Sequence, residues 1–312
     1  MHAQCFLCGA VKDGIISISL VIGAGRLQAF DRCRIEDGRR GQSHFEREMM
    51  RFSRTTLGGL LLAVYATPAF AQETAPPPAI TINGTAAVVT DYRFRGISQT
   101  DRNAAVQGSI TVTHESGFYV SVWGSSVDNY VTVAGTGHQE IDLIGGYKKT
   151  VGGTTFDIGA LYYFYPKTHP TGDASSSDFV EPYFDISHTF GPLTSKVTVN
   201  YAPKQKALAL DQGASGLLRK RDNVYLAGDF SAGIPKTPLG LTAHVAHSFG
   251  PSWLATDSSG KKGYTDWGVG ATATYKILTL GVSYVDTDAR FLSSGGRNVS
   301  KGGVVASLGV AF

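Results

Sequence analysis

Apolar and polar residues alternate with a period of two along most of the chain after residue 80, and no window of helical length is apolar at a 3.6-residue spacing. The final stretch is the clearest case. Val304, Ala306, Leu308, Val310 and Phe312 share one face, and Val305, Ser307, Gly309 and Ala311 share the other. Successive strand side chains point to opposite faces, so this is a strand with one bulky apolar face and one face of mostly small residues. The same alternation predicts twelve strands, over 82–95, 104–114, 117–128, 139–148, 154–165, 178–190, 193–202, 222–231, 239–249, 264–276, 278–288 and 302–312.

The connections between these strands alternate in length. The links at 114–117, 149–153, 191–192, 234–238 and 276–277 are short, whereas those at 96–103, 129–138, 166–177, 203–221, 250–263 and 289–301 are longer and polar. An up-and-down barrel with both termini on one side of a membrane produces this order, with tight turns at one rim and long loops at the other. A Greek-key sandwich has no reason to keep it. Within one strand, Trp267, Val269, Ala271, Ala273 and Tyr275 oppose Asp266, Gly268, Gly270, Thr272 and Thr274. Its two outer aromatics stand about 26 Å apart at about 3.3 Å per residue, the spacing of two interfacial girdles once the strand tilts. The expected fold is therefore all-β, a transmembrane antiparallel up-and-down barrel of about twelve strands over 82–312. Phe312, an aromatic ending an alternating strand, is a candidate signal for the barrel-assembly machinery.

Composition divides the chain near residue 50. All three Cys and all three Met lie in the first fifty residues. Cys5 and Cys8 form a C-x-x-C, and Gly23-Ala24-Gly25 resembles part of a dinucleotide loop. Neither has the context that metal, redox or nucleotide chemistry requires. Residues 1–48 read as a spurious N-terminal extension. From Met49 or Met50 the chain reads as a signal peptide to residue 71, with Arg51 and Arg54, an apolar core over Leu57–Val64 and Ala69-Phe70-Ala71 at the cleavage site. A short proline-rich leader, 72–81, follows. Residues 72–312 contain no Cys and balance 19 basic against 19 acidic residues, which points to neither a disulfide framework nor a nucleic-acid partner. No cofactor or metal site is expected in them.

Certain motifs resemble a known family. Thr90-Asp91-Tyr92-Arg93-Phe94-Arg95-Gly96-Ile97-Ser98-Gln99-Thr100-Asp101 is similar to the opening motif of the TorF-family porin-type barrels of proteobacteria. Gly117-Phe118-Tyr119, Glu140-Ile141-Asp142-Leu143, Tyr162-Tyr163-Phe164-Tyr165-Pro166, Tyr264-Thr265-Asp266-Trp267 and Tyr284-Val285-Asp286-Thr287-Asp288 follow in that family's order. The resemblance implies an outer-membrane barrel of a Gram-negative bacterium.

By parity, Asp91, Arg93, Arg95, Glu140, Asp142, Asp157, Tyr163, Glu181, Tyr183, Asp185, Lys196, Asp229 and Asp266 face the lumen, where water or ion pairing makes charge tolerable. They are the candidate lining of a passive channel for small polar solutes, whose other partners are outer-membrane lipid and the assembly machinery. A filled structural or adhesive barrel acting through its loops is the alternative. In that case, or in a constricted pore, the long 203–221 loop folds inward or binds anionic groups. An outer-membrane lipid hydrolase is the least favoured reading, because the outward His188 and His247 lack a hydrolase motif around them.

Overall fold

The computed structural model describes residues 10–12, 15–17, 78–131, 137–166, 177–209, 221–293 and 295–312. The chain forms two compact units, Met1–Arg51 and Phe52–Phe312. The described part of the first is an antiparallel pair, β1 (Ala10–Lys12) and β2 (Ile15–Ser17). The expected signal peptide, the leader as far as residue 77 and residues 210–220 of the longest loop lie outside the described residues, as does the 1–48 segment apart from β1 and β2.

The second unit is a closed twelve-stranded antiparallel barrel. Its strands are β3 (Ile80–Val89), β6 (Ala105–His114), β7 (Phe118–Ser126), β8 (Gln139–Val151), β9 (Thr154–Phe164), β10 (Phe179–Phe190), β11 (Leu193–Ala202), β12 (Asn223–Gly233), β13 (Leu239–Phe249), β14 (Tyr264–Tyr275), β15 (Leu278–Thr287) and β16 (Gly303–Ala311). Each pairs with its sequence neighbours, and β16 closes onto β3. At the seam, Gly84 N donates to Phe312 O at 2.8 Å and Phe312 N donates to Gly84 O at 3.0 Å. A Cβ on Gly84 would stand 2.5 Å from the Phe312 ring, so the terminal aromatic lies over a position that only glycine leaves flat. Closure removes every edge, as a strand structure in lipid must.

The outer surface carries the apolar residues. Ile82, Val106, Val120, Ile158, Val269, Leu280 and Val304 are all exposed and share the outward parity. A continuous apolar exterior on this scale is a lipid-facing surface. Phe118, Phe156, Phe190 and Tyr275 mark the rim with short turns, and Tyr162, Tyr201, Phe249, Trp267 and Tyr284 the rim with long loops.

The first strand departs from the expected 82–95. It ends at Val89, and the chain leaves the wall to form a small hairpin, β4 (Arg93–Phe94) and β5 (Ile97–Ser98). Arg95 (φ 48°) and Gly96 (φ 82°) make its two-residue turn, with both φ positive as a type I′ hairpin demands. Asp91, Arg93 and Arg95 are therefore not on a wall strand. Their odd-numbered parity matches that of the inner face only because the alternation runs on through the break.

Candidate functional site

Two different inner walls face each other. β15, β16, β3, β6 and β7 present Thr279, Gly281, Ser283, Ser307, Gly309, Thr85, Ser109, Thr111 and Ser121, with no charged side chain at an inward position. Hydroxyls pair across these strands, as in Thr85–Ser109 at 2.6 Å and Thr111–Ser121 at 2.7 Å. β8 to β14 carry the inward charges of the barrel wall. There Lys148 Nζ lies 3.2 Å from Asp157, and Lys196 Nζ lies 3.9 Å from Asp185 and 3.5 Å from Asp229. His244 bridges Asp229 to a further carboxylate, with Nδ1 2.7 Å from Asp229 and Nε2 2.9 Å from Asp266. The Tyr225 hydroxyl also reaches Asp266, at 3.2 Å. Near the turn rim, Tyr119 and Tyr183 join their hydroxyls, and Tyr119 donates to Asp157 at 2.9 Å.

The β4–β5 hairpin bridges these two walls. It departs from β3 on the uncharged side and ends with Arg95 buried on the charged side. Arg95 Nη2 donates to both oxygens of Glu181 at 2.6 and 2.8 Å, and Nη1 donates to Asn223 Oδ1 at 3.0 Å. The guanidinium lies over the Tyr225 ring at 4.1 Å and the Phe94 ring at 4.9 Å. Glu181, fully buried, also accepts from Tyr163 at 3.1 Å and Asn200 at 3.2 Å. With Nη2 held by the Glu181 carboxylate and Nη1 by the Asn223 amide oxygen, the guanidinium is fixed in orientation as well as position. Gly96 is pressed against the wall: an added Cβ would meet Thr287 at 2.8 Å and Asp266 at 2.9 Å, and the positive φ disfavours any other residue.

The stem of the hairpin is anchored equally closely. Tyr92 donates to Glu140 at 2.7 Å, and Tyr165 donates to the other oxygen of Glu140 at 2.8 Å. Asp91 accepts from Arg93 Nε and from the Ser98 hydroxyl, both at 2.6 Å. Ser98 N donates to Val299 O at 2.9 Å, and the Tyr130 hydroxyl donates to Ser98 O. Around it the loop-side half of the lumen is packed with Tyr92, Val127, Val131, Tyr163, Tyr165, Phe179, Leu208 and Leu254. A cavity of about 10 Å³ between Val131, Tyr165, Phe179, Leu208 and Trp253 is barely the volume of one water.

Of the residues singled out in the sequence, Glu140, Asp142, Asp157, Tyr163, Glu181, Tyr183, Asp229 and Asp266 are buried on the inner face of the wall, and Asp185 and Lys196 are half-buried there. The geometry brings Asp91 together with Arg93, Arg95 with Glu181, and Lys196 with Asp185 and Asp229. His244, Lys148 and Asn223 join the same networks without having been singled out. Their parity was readable, since His244 follows Gly240 and Thr242 on the inward face of β13. His188 and His247 lie outside these networks, each hydrogen-bonded to a threonine, Thr154 and Thr265 respectively. The start of the 203–221 loop turns inward, burying Ala207 and Leu208, and Gln205 is tied to both backbone groups of Val180.

Residues 71–312 match the model of the Gcw_chp family, described as bacterial protein of unknown function. The chain belongs to this family. No curated protein matches the chain. Among solved structures, the Gcw_chp barrel is similar to the NanC porin at 14% identity and a TM-score of 0.49, over 74% of this chain and 99% of that one. It is similar to the KdgM porin at 11% identity and a TM-score of 0.41, over 74% and 97%. For the toluene transporter TodX of Pseudomonas putida the values are 9%, 0.41, 76% and 89%.

Proposed function

We propose that the protein is a narrow outer-membrane channel for passive diffusion of small polar solutes, constricted by the in-folded 90–104 segment. The observation that carries this reading is the contrast within the lumen. A structural barrel needs only a filled interior, yet most inward positions of β15, β16, β3 and β6 are small hydroxyl, glycine or alanine residues that fill little space, with valine, asparagine and glutamine at a few. Twelve strands enclose more room than the eight whose interior side chains can fill. The opposing charged wall supplies the field that orients a polar solute. The sequence resemblance to TorF-family porin-type barrels supports the same reading, together with a place in the outer membrane of a Gram-negative bacterium.

A filled barrel acting through its loops is the second reading, favoured by the packed loop-side core and the buried Arg95–Glu181 pair. Planar-bilayer conductance separates the two. Protein purified from membranes of cells expressing the full chain is expected to give discrete, reproducible current steps. A folded barrel that inserts and stays silent overturns the channel reading in favour of the filled one.

A further inference from the structure

Among the described residues, every inward carboxylate but two has a cationic partner: Arg93, Arg95, Lys148, Lys196 or His244. The exceptions are Glu140 and Asp142, successive inward positions on β8. Glu140 is provided for by the Tyr92 and Tyr165 hydroxyls. Asp142 is not. It is 6% exposed, its Oδ1 has no hydrogen-bond partner, and no ion pair reaches it among the described residues.

The surroundings of Asp142 are specific. Trp123 stands directly across from it on β7 and Tyr163 directly across on β9. Residues so paired on one face of a sheet have neighbouring side chains, so the carboxylate lies between two aromatic residues. Both rings are fixed, Trp123 against Tyr92 at 5.5 Å and Tyr163 stacked on Phe179 at 4.2 Å. A buried carboxylate without a counter-charge is strongly unfavourable, and neither aromatic neighbour carries a charge that could balance it.

From this geometry we infer that Asp142 binds a small monovalent cation of potassium or ammonium size, with Trp123 and Tyr163 as the flanking walls. A divalent ion is a poor match, because one carboxylate neutralises only one of its two charges, and no cluster of three or more His, Cys, Asp or Glu suited to a metal occurs among the described residues. The inference does not depend on conduction, since the site exists in a silent barrel as well as in an open one.

The test is a binding experiment on the purified barrel. The thermal unfolding midpoint, read from the shift in gel mobility, is followed against potassium or ammonium chloride, with N-methylglucamine chloride holding ionic strength constant. The expected result is a saturable rise in midpoint with potassium or ammonium. At ten times the dissociation constant, one-site linkage raises the folded-to-unfolded ratio about elevenfold. Asp142→Asn, nearly isosteric, is expected to abolish the cation dependence. The wild-type titration stands by itself if that variant fails to fold. Superimposed curves for potassium, ammonium and N-methylglucamine overturn the inference, as does a variant that keeps the full dependence. A midpoint that moves with pH but with none of the three cations overturns it too, and assigns Asp142 a proton instead.

Discussion

The two walls of the lumen solve the same problem in opposite ways. β15, β16, β3 and β6 face inward largely with Thr, Ser, Gly and Ala, whose short side chains hydrogen-bond to one another across the strands. β8 to β14 face inward with long charged and aromatic side chains that reach across to partners and consume the space. Hydroxyl pairs hold these strands together at little energetic risk. Buried ion pairs make each partner depend on the other, because removing one leaves a desolvated charge behind. The hairpin joins the walls: it rises from the permissive side and is fixed on the demanding one.

Breaking that fixed point carries the largest expected effect. Glu181→Gln removes the anion that holds Arg95 and leaves a guanidinium buried over Tyr225. A loss of about 3–5 kcal/mol is expected from an uncompensated buried charge, measured as unfolding of the barrel in urea–lipid titrations. A variant as stable as the parent shows that Arg95 is not desolvated in the way described.

A second substitution sharpens the contrast from the other side. Ser283→Trp places a large ring on the permissive wall, where Ser283 faces Gly270 and Val305 across the strands. On the channel reading the ring enters the lumen rather than a packed core, so stability is expected to change by only about 1 kcal/mol and conductance to fall steeply. A variant that unfolds shows that this wall is as tightly filled as the other.

The smallest effect belongs to the loops. Burial alone pushes the Asp257 carboxyl up, but bonds from the Ser259 hydroxyl and from the backbone of Arg290, Lys261 and Ser259 outweigh it and hold the group below its ordinary value. A depressed carboxylate stabilises fully above its unfolded value of about 3.9 and progressively less as pH falls through the lower folded value. Amide exchange around 257–261 is expected to quicken below about pH 4 in the parent, and Asp257→Asn to lose most of that acid dependence.

The wall was legible in the sequence because alternation, girdle aromatics and link lengths all report on one physical fact, a strand with one face outside the barrel and one inside it. Eleven of the twelve strands lie where that pattern places them, within three residues. The first strand shows the limit of the pattern. Asp91, Arg93 and Arg95 keep the parity of Ala87 and Val89, so alternation has nothing to say about the break after Val89. The available signal was turn chemistry: Arg95-Gly96 as a two-residue turn between Phe94 and Ile97. Which charges meet was not readable, since Arg95 finds Glu181 and Asn223 across the barrel, 86 and 128 residues away. Long-range pairing depends on strand register and tilt, which period-two patterns do not encode.

On the proposed channel reading, a segment pinned by Arg95 narrows a lumen that is otherwise passable along its hydroxyl wall. Single-channel conductance of the parent and of Arg95→Ala, recorded in the same bilayer and salt, tests it most directly. Small discrete steps are expected for the parent and larger, noisier steps for the variant, because the hairpin loses its anchor on Glu181 and Asn223. Equal conductance in two folded proteins, whether both silent or both open, would contradict it.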